Sequence, residues 1–534
     1  MNLAEIKRKK IQAISIVLAF LNLIYISKIS GYQGVTYLMV CMEIYGVFAV
    51  VINGGLSDVL GRLIRIRNAK GQYRSSENIK RYTFMLQLIS GSLGMVILFF
   101  SGKTLVAFMG DMKYCRFIIL LFAPLVLLRS LSCLLSGLVK GQGTELPESI
   151  AVVLRQILIF VFSMIFCKML GEYGEKVSHL LRQENFKSMY IDVGVMIALL
   201  LSEVFVTVFL FLIHKAVGRY NQKATKEGFR SADSVMDCIR LVLGNRLPMM
   251  LILLLLLLTF PVCFKVYINN AAETENAVIH YGMFSAEYLS VIGILLCVLN
   301  IPMFTLVGKL RQTIKKNENR YMNFVFQSGV HFLIIITVYW VVFLAVMSEH
   351  IGIVICKEAG AILEKMYTAG SGLILTVTLS LYFGRVLLLK GKRVWLIISV
   401  MVYDVVQILF IILMNKRFTD DYMLLVYSLT LGFAVLCVML GILCYVCMRQ
   451  SIDWLQCIVI PVAVGSISGL LSMLIAKLIS PHMGSLVTII VCGVITFALY
   501  WTGLLLTRNI RDQELEVLPY AKLLEGAGQL LRVF

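Results

Sequence analysis

The chain has 534 residues, of which 59% are hydrophobic and only 15% charged, with a formal net charge of +19 and a mean hydropathy of +0.88. Soluble domains carry about 25% charged residues, so a soluble multidomain protein is excluded. The basic excess does not point to nucleic acid either, because it is spread over alternate loops and not gathered on one surface.

The apolar residues come as unbroken blocks, such as LILLLLLLTF at 251–260. About 20 such residues are needed to cross a bilayer as a helix, and isolated strands or loops cannot cross because their backbone groups would go unsatisfied. The first block follows Lys7-Arg8-Lys9-Lys10, has no small-residue cleavage site, and reads as a span retained in the mature protein. Fourteen spans are expected, near 11–29, 36–60, 82–101, 115–138, 149–169, 190–213, 243–268, 281–307, 325–347, 366–388, 393–414, 422–447, 454–478 and 483–507. The fold class is therefore an all-α polytopic membrane protein. The thirteen cysteines sit mostly inside these blocks, as at Cys133, Cys297 and Cys437, and the pair Cys444 and Cys447 lies within a span. They read as packing residues, not as a disulfide or metal framework.

Basic loops alternate along the chain. Arg62, Arg65, Arg67, Lys70, Arg74, Lys80 and Arg81 follow span 2, and Lys215, Arg219, Lys223, Lys226, Arg230 and Arg240 follow span 6. Lys309, Arg311, Lys315, Lys316 and Arg320 follow span 8, and Arg385, Lys390, Lys392 and Arg393 follow span 10. The loop after span 7 carries Glu273 and Glu275 without a cation; that after span 5 mixes Lys176, Arg182 and Lys187 with Glu172, Glu175 and Glu184. The positive-inside rule puts both termini in the cytoplasm, which requires an even number of spans. The rhythm suggests a six-span bundle at 1–220, a cytoplasmic linker at 221–240, a second six-span bundle at 241–450, and two further spans with a tail at 451–534. Parallel repeats of this kind are a known transporter design.

Several stretches then become informative together. Residues 54–81 combine a small-residue bend, an amphipathic basic stretch and Gly71-Gln72-Tyr73 with a basic tail. Phe122-Ala123-Pro124 is followed by Ser136-Gly137-Leu138-Val139-Lys140-Gly141, Pro147 and Gln156. Tyr281-Gly282 precedes Ile301-Pro302, and Arg511-Asp512 leads to Leu518-Pro519 and Lys522. In this order they resemble the stage V sporulation protein B-like branch of the multidrug/oligosaccharidyl-lipid/polysaccharide exporter superfamily, over nearly the whole chain. The resemblance implies two six-helix bundles in a V around a central cavity, working by alternating access. It also implies a structural turn around Gly137, Gly141 and Pro147. The implied activity is movement of a lipid-linked saccharide, on undecaprenyl diphosphate, from the cytoplasmic to the outer leaflet of a bacterial plasma membrane. The chain departs from the family pattern at Ser136, at Arg155 and at Phe264-Lys265, so the charge network of relatives is altered.

A charge in mid-membrane is costly and tends to face a cavity or a partner. Arg129 in span 4 and Arg155 in span 5 are the leading candidates for a diphosphate, whose oxygens suit the rigid fork of a guanidinium; an interhelical ion pair is the competing reading. Arg62 and Arg65 suit the cavity mouth, although contact with anionic lipid also explains them. Arg246 and Lys265 are further cationic candidates. Glu43, Glu203, Glu287 and Asp404 are candidate counter-ions or coupling groups for H⁺ or Na⁺. His331 reads as a packed polar residue, and Gly465-x-x-x-Gly469 permits close helix contact.

No phosphate-binding G-x-x-x-x-G-K-[ST], H-E-x-x-H or G-x-S-x-G occurs, so neither ATP hydrolysis nor another enzyme activity is expected. No cofactor is expected; the driving force is expected to come from a gradient of H⁺ or Na⁺, the membrane potential or substrate supply. The expected partners are the lipid-linked saccharide, anionic lipids and glycosyltransferases or polymerases of the same pathway, acting with a monomer. Competing readings are a cation-coupled multidrug exporter, which would want carboxylates in its cavity, and a membrane enzyme, which would want a sizeable extracytoplasmic loop.

Overall fold

The computed structural model describes residues 3–221, 234–414, 421–448, 455–510, 512–519 and 525, apart from single turn positions at 111, 113, 144, 184, 272, 317, 358, 481 and 482. Most of the expected 221–240 linker, with Lys223, Lys226 and Arg230, and Arg511 and Lys522 of the tail lie outside the described residues.

The described elements are helical. The first helix, α1 (Leu3–Asn53), is broken at Gly31, whose φ of 73° and ψ of 167° are not helical. Two apolar runs flank the break, so α1 holds the first expected span and most of the second. After Gly54 and Gly55 the chain continues as α2 (Leu56–Ala69), followed by α3 (Tyr73–Phe108), α4 (Cys115–Gly141), α5 (Leu146–Leu181), α6 (Asn185–Asn221) and α7 (Val235–Asn270). Next come α8 (Thr274–Gly282), a π-helical turn (Met283–Tyr288), α9 (Leu289–Lys316), α10 (Asn319–Val346), α11 (Ser348–Ile355), α12 (Gly360–Gly370), α13 (Leu373–Leu389), α14 (Arg393–Met414) and α15 (Asp421–Met448). A second π-helical turn leads into α16 (Ile460–Ile479), α17 (Ser485–Leu506) and the short α18 (Asp512–Leu515).

Among the described residues twelve helices are long and apolar enough to cross a membrane, and α12 with α13, bent by 45°, makes a thirteenth. Counting α1 on both sides of Gly31 restores the fourteen expected. The surface agrees with this: Phe100 and Leu180 are exposed on helix faces, and only 22% of the most apolar stretch of α5 is buried in protein. In water such faces would be a severe liability, whereas in lipid they are the solvated surface.

The described residues divide into two compact units, Lys7–Ala286 and Glu287–Phe534. In the first, α2 is amphipathic. Leu56, Val59, Leu60, Leu63 and Ile64 recur at helical spacing and pack with Leu134, Leu138, Ala151 and Val206, while Arg62 and Arg65 lie on the exposed face. Close approach of α2 to α4 depends on glycine: a Cβ on Gly61 would fall 2.6 Å from Lys140 Cβ, and one on Gly141 2.7 Å from Ile64 Cβ.

In the second unit α10 is the central helix, with 61% of its most apolar stretch buried. Tyr500 donates its hydroxyl to the Ile335 carbonyl at 2.8 Å, and Tyr339 to that of Gly493 at 3.3 Å. The expected close contact at Gly465 and Gly469 is present: Cβ atoms there would lie 2.8 and 2.7 Å from Val338 and Val342 of α10.

Candidate functional site

Three chain features shape a cavity in the first unit. The helix break at Gly54–Gly55, where Gly55 has a φ of +70°, opens the wall between α1 and α2. The middle of α4 and the first turns of α5 supply the facing walls. The cavity has a volume of about 320 Å³, and its polar lining includes Asn53, Ser57, Arg129, Ser132, Glu148 and Arg155.

Two of these residues converge on one carboxylate from α6. Arg155 Nε donates to Glu203 Oε2 at 2.6 Å and its Nη2 to Oε1 at 3.3 Å. Arg129 Nη1 donates to Glu203 Oε2 at 3.3 Å, and the Ser132 hydroxyl donates to Oε1. The Glu203 side chain is 3% exposed, that of Arg155 12% and that of Arg129 38%. Two guanidiniums thus share one acid, leaving an excess of one positive charge. A guanidinium has five donors, and Arg129 is the partner with donors left for the cavity. Glu203 is the counter-ion for both arginines; Glu43, the other candidate, is engaged elsewhere.

A second charged cluster joins α2, α4 and α5 beside the cavity. Lys140, itself buried, donates to Asp58 Oδ1 at 2.5 Å and pairs with Glu148 Oε1 at 2.7 Å. Ser57 donates to the same Glu148 oxygen at 3.3 Å. Gly137 and Gly141 lie in the last turns of α4, where their missing side chains admit α2, and Pro147 lies in the first turn of α5. Among the described residues the tight turn itself is marked by Gly143, with a φ of +92°.

Arg246 is buried on α7. Its Nε donates to the Gly54 carbonyl at 2.9 Å, and its Nη2 to that of Val51. A cation there sits on the carbonyl end of α1, where the helix dipole is negative. Lys265 Nζ donates to the Ala107 carbonyl at 3.4 Å and lies 5.8 Å over the Phe108 ring. Arg65 pairs with Glu145 at 2.7 Å, tying α2 to the start of α5, and Arg62 donates to Asn245 at 3.4 Å.

Glu43 accepts from the Tyr281 hydroxyl at 2.6 Å, and its second oxygen is buried without a partner among the described residues. Glu287 is buried within the first π-helical turn, its carbonyl accepting from Tyr367 at 3.4 Å, and Asp404 is half-buried on α14. Both belong to the second unit. So does His331, which is more than a packed residue: Nδ1 lies 3.1 Å from Glu514 Oε2, and Asn509 Nδ2 lies 3.1 Å from Nε2.

The sequence reading missed Asp192, Lys140 and Glu148. Asp192 is fully buried on α6 and accepts from Ser30 at 2.8 Å, beside the Gly31 break. Its signal was a lone acid opening the run YIDVGVMIALLL, which also reads as a span edge. Lys140 and Glu148 flank a turn, where a charge is not conspicuous.

No protein-family model matches the chain, and no curated protein matches its sequence. Solved structures do match its fold. An inward-facing multidrug resistance MATE family transporter of the MOP superfamily has a TM-score of 0.62 at 14% identity, covering 82% of this chain and 94% of its own. Lipid II flippase MurJ in an inward closed conformation has 0.63 at 11% identity, covering 93% and 98%. A MOP superfamily transporter from Pyrococcus furiosus, described as having a binding pocket of reverse polarity, has 0.54 at 13%, covering 84% and 97%. At these identities the similarity is one of fold: the chain has the fold of the MOP superfamily transporters, as the sequence resemblance led one to expect.

Proposed function

We propose that this chain is a transporter that moves a lipid-linked saccharide, carried on a polyprenyl diphosphate, between membrane leaflets. The observation that carries the reading is the pair of arginines on one carboxylate beside a cavity. A buried charge is retained against its desolvation cost only when partnered, yet Glu203 neutralises only one of the two cations. The remaining positive charge, on the more exposed Arg129, suits the oxygens of a diphosphate. Around Arg129 it disfavours the cationic drugs that the alternative reading requires, while the acids at the α2 side, Asp58 and Glu148, are held by Lys140. The coverage of the flippase structure, 93% of this chain against 82% for the multidrug transporter, supports the same choice.

In this reading the arginines bind the anionic headgroup, and α2, with its outward Arg62 and Arg65, lies on the cytoplasmic side. Glu43, with one oxygen unpartnered, is the first candidate for the coupling ion. Arg129→Ala should abolish translocation of a lipid-linked saccharide in cells at normal membrane abundance. Full activity in that variant removes Arg129 from the mechanism. Native mass spectrometry of the purified protein should find co-bound undecaprenyl-diphosphate lipid; cationic drugs in its place would favour the multidrug reading.

A further inference from the structure

We infer that Glu148 is the sugar-contacting residue of the cavity: its free carboxylate oxygen accepts a hydrogen bond from a hydroxyl of the first sugar, next to the diphosphate on Arg129. This rests on the reading just proposed and adds to it where the saccharide lies. Glu148 is in the first turn of α5 and lines the cavity. Lys140 at 2.7 Å and the Ser57 hydroxyl at 3.3 Å both bind one of its oxygens, Oε1. Oε2 has no hydrogen-bond partner among the described residues, and it is not enclosed by protein. The side chain as a whole is 15% exposed. An ionised carboxylate only accepts, so a ligand that uses Oε2 must bring a donor. Asp58, the other acid on Lys140, is 84% exposed, and water screens its charge. The buried part of the cluster is therefore one cation with one anion. That balance favours a neutral O–H over a second cation.

Helical spacing ties this oxygen to the arginines. Glu148 and Arg155 are seven residues apart on α5, which is two turns, so they share a face with about 10 Å of helix axis between them. Arg129 and Ser136 repeat that interval on α4 and also line the cavity. The chain reverses between the two helices, so Lys140 meets Glu148 while Arg129 meets Arg155 on Glu203. The cavity thus has a cationic end and, two helical turns away, an end with a free acceptor and serine hydroxyls. A diphosphate joined to a sugar has the matching polarity, with anionic oxygens at one end and O–H donors on the adjoining ring. At about 320 Å³ the cavity is at the small end of ligand pockets, roughly 300–1,000 Å³. That suits the diphosphate and its first sugar, not a long oligosaccharide.

The test is a pair of titrations of the purified full-length protein by native mass spectrometry. One uses undecaprenyl diphosphate, the other undecaprenyl diphosphate carrying a single N-acetylglucosamine, and the readout is the ratio of the two affinities. The native protein should favour the sugar-bearing lipid by about tenfold or more, as expected for a hydrogen bond to a charged group. Glu148→Gln keeps an oxygen for Lys140 and turns a donor toward the cavity, and it should remove most of that preference. Glu148→Asp keeps the charge beside Lys140 but withdraws the carboxylate by one methylene. It should lower the ratio in the same sense, and it covers the case in which the glutamine variant does not fold. A native protein without the preference, a ratio unchanged in both variants, or an equal loss for both lipids overturns the sugar contact and leaves the diphosphate reading standing. Arg129→Ala should weaken both lipids together; native-like binding of both by that variant overturns the diphosphate reading and this inference with it.

Discussion

The two units bury polar clusters of similar size and use them differently. In the first, Arg129, Arg155 and Glu203 leave a positive excess beside a cavity. In the second, Glu514 and Asn509 take up both nitrogens of His331, Lys309 donates to the carbonyls of Glu516 and Val517 at 3.2 and 2.8 Å, and the atom left over is a neutral one, Asn509 Oδ1, which is buried without a partner among the described residues. These contacts fold the segment after α17 back onto α9 and α10 and bury Ile510, Leu515 and Val517. The difference is one of charge: a guanidinium that shares its carboxylate can still bind an anion, and an amide oxygen cannot. Burial of charge alone therefore does not identify a site; the inequality of partners does.

That comparison can be broken at several points. Glu203→Ala would strand two cations and should cost about 3–5 kcal/mol, as removing one partner of a buried ion pair does, read as lost monodispersity and a lower unfolding temperature in detergent. A stable variant would mean that the arginines are solvated from the cavity. His331→Ala should cost about 1–3 kcal/mol by leaving the Asn509 amide nitrogen without its acceptor and taking one partner from Glu514 and should speed proteolytic removal of the C-terminal tail, with translocation retained. Loss of translocation at an unchanged cleavage rate would assign the second cluster a binding role. Gly141→Ala should cost about 1–3 kcal/mol by overpacking, because its Cβ would fall 2.7 Å from Ile64 Cβ. Gly469→Ala meets a terminal methyl of Val342 at 2.7 Å and otherwise ordinary contacts with Val346 and Val342 at 3.5 and 4.0 Å, and should cost less in the same melt. Arg65→Ala removes a half-exposed pair and should change stability by no more than about 1 kcal/mol.

Much of the architecture was legible because the bilayer imposes a length and a composition on every pass. The fourteen apolar runs were read from length and composition alone, and the amphipathic stretch that became α2 came with the family resemblance. The two arginines and Glu203 were legible too, since a charge inside an apolar run is conspicuous. Which acid they chose was not legible: Glu43 and Glu203 have equivalent local sequence, and only the packing of α4, α5 and α6 joins them. The role of Arg246 was hidden for the same reason, because its partners are backbone carbonyls, which have no signature in the sequence. Asn53 carries no charge and was silent. His331 read as packing because Glu514 lies 183 positions away.

The bond from Arg246 to the Gly54 carbonyl has a mechanical consequence. The strand of backbone that it grips, 50–54, is also cavity wall, through Val50, Asn53 and Gly54. Gly54 and Gly55 make this the softest point along that wall, and the arginine joins it to α7. A tilt of α7 is therefore transmitted through the arginine to the wall beside Arg129.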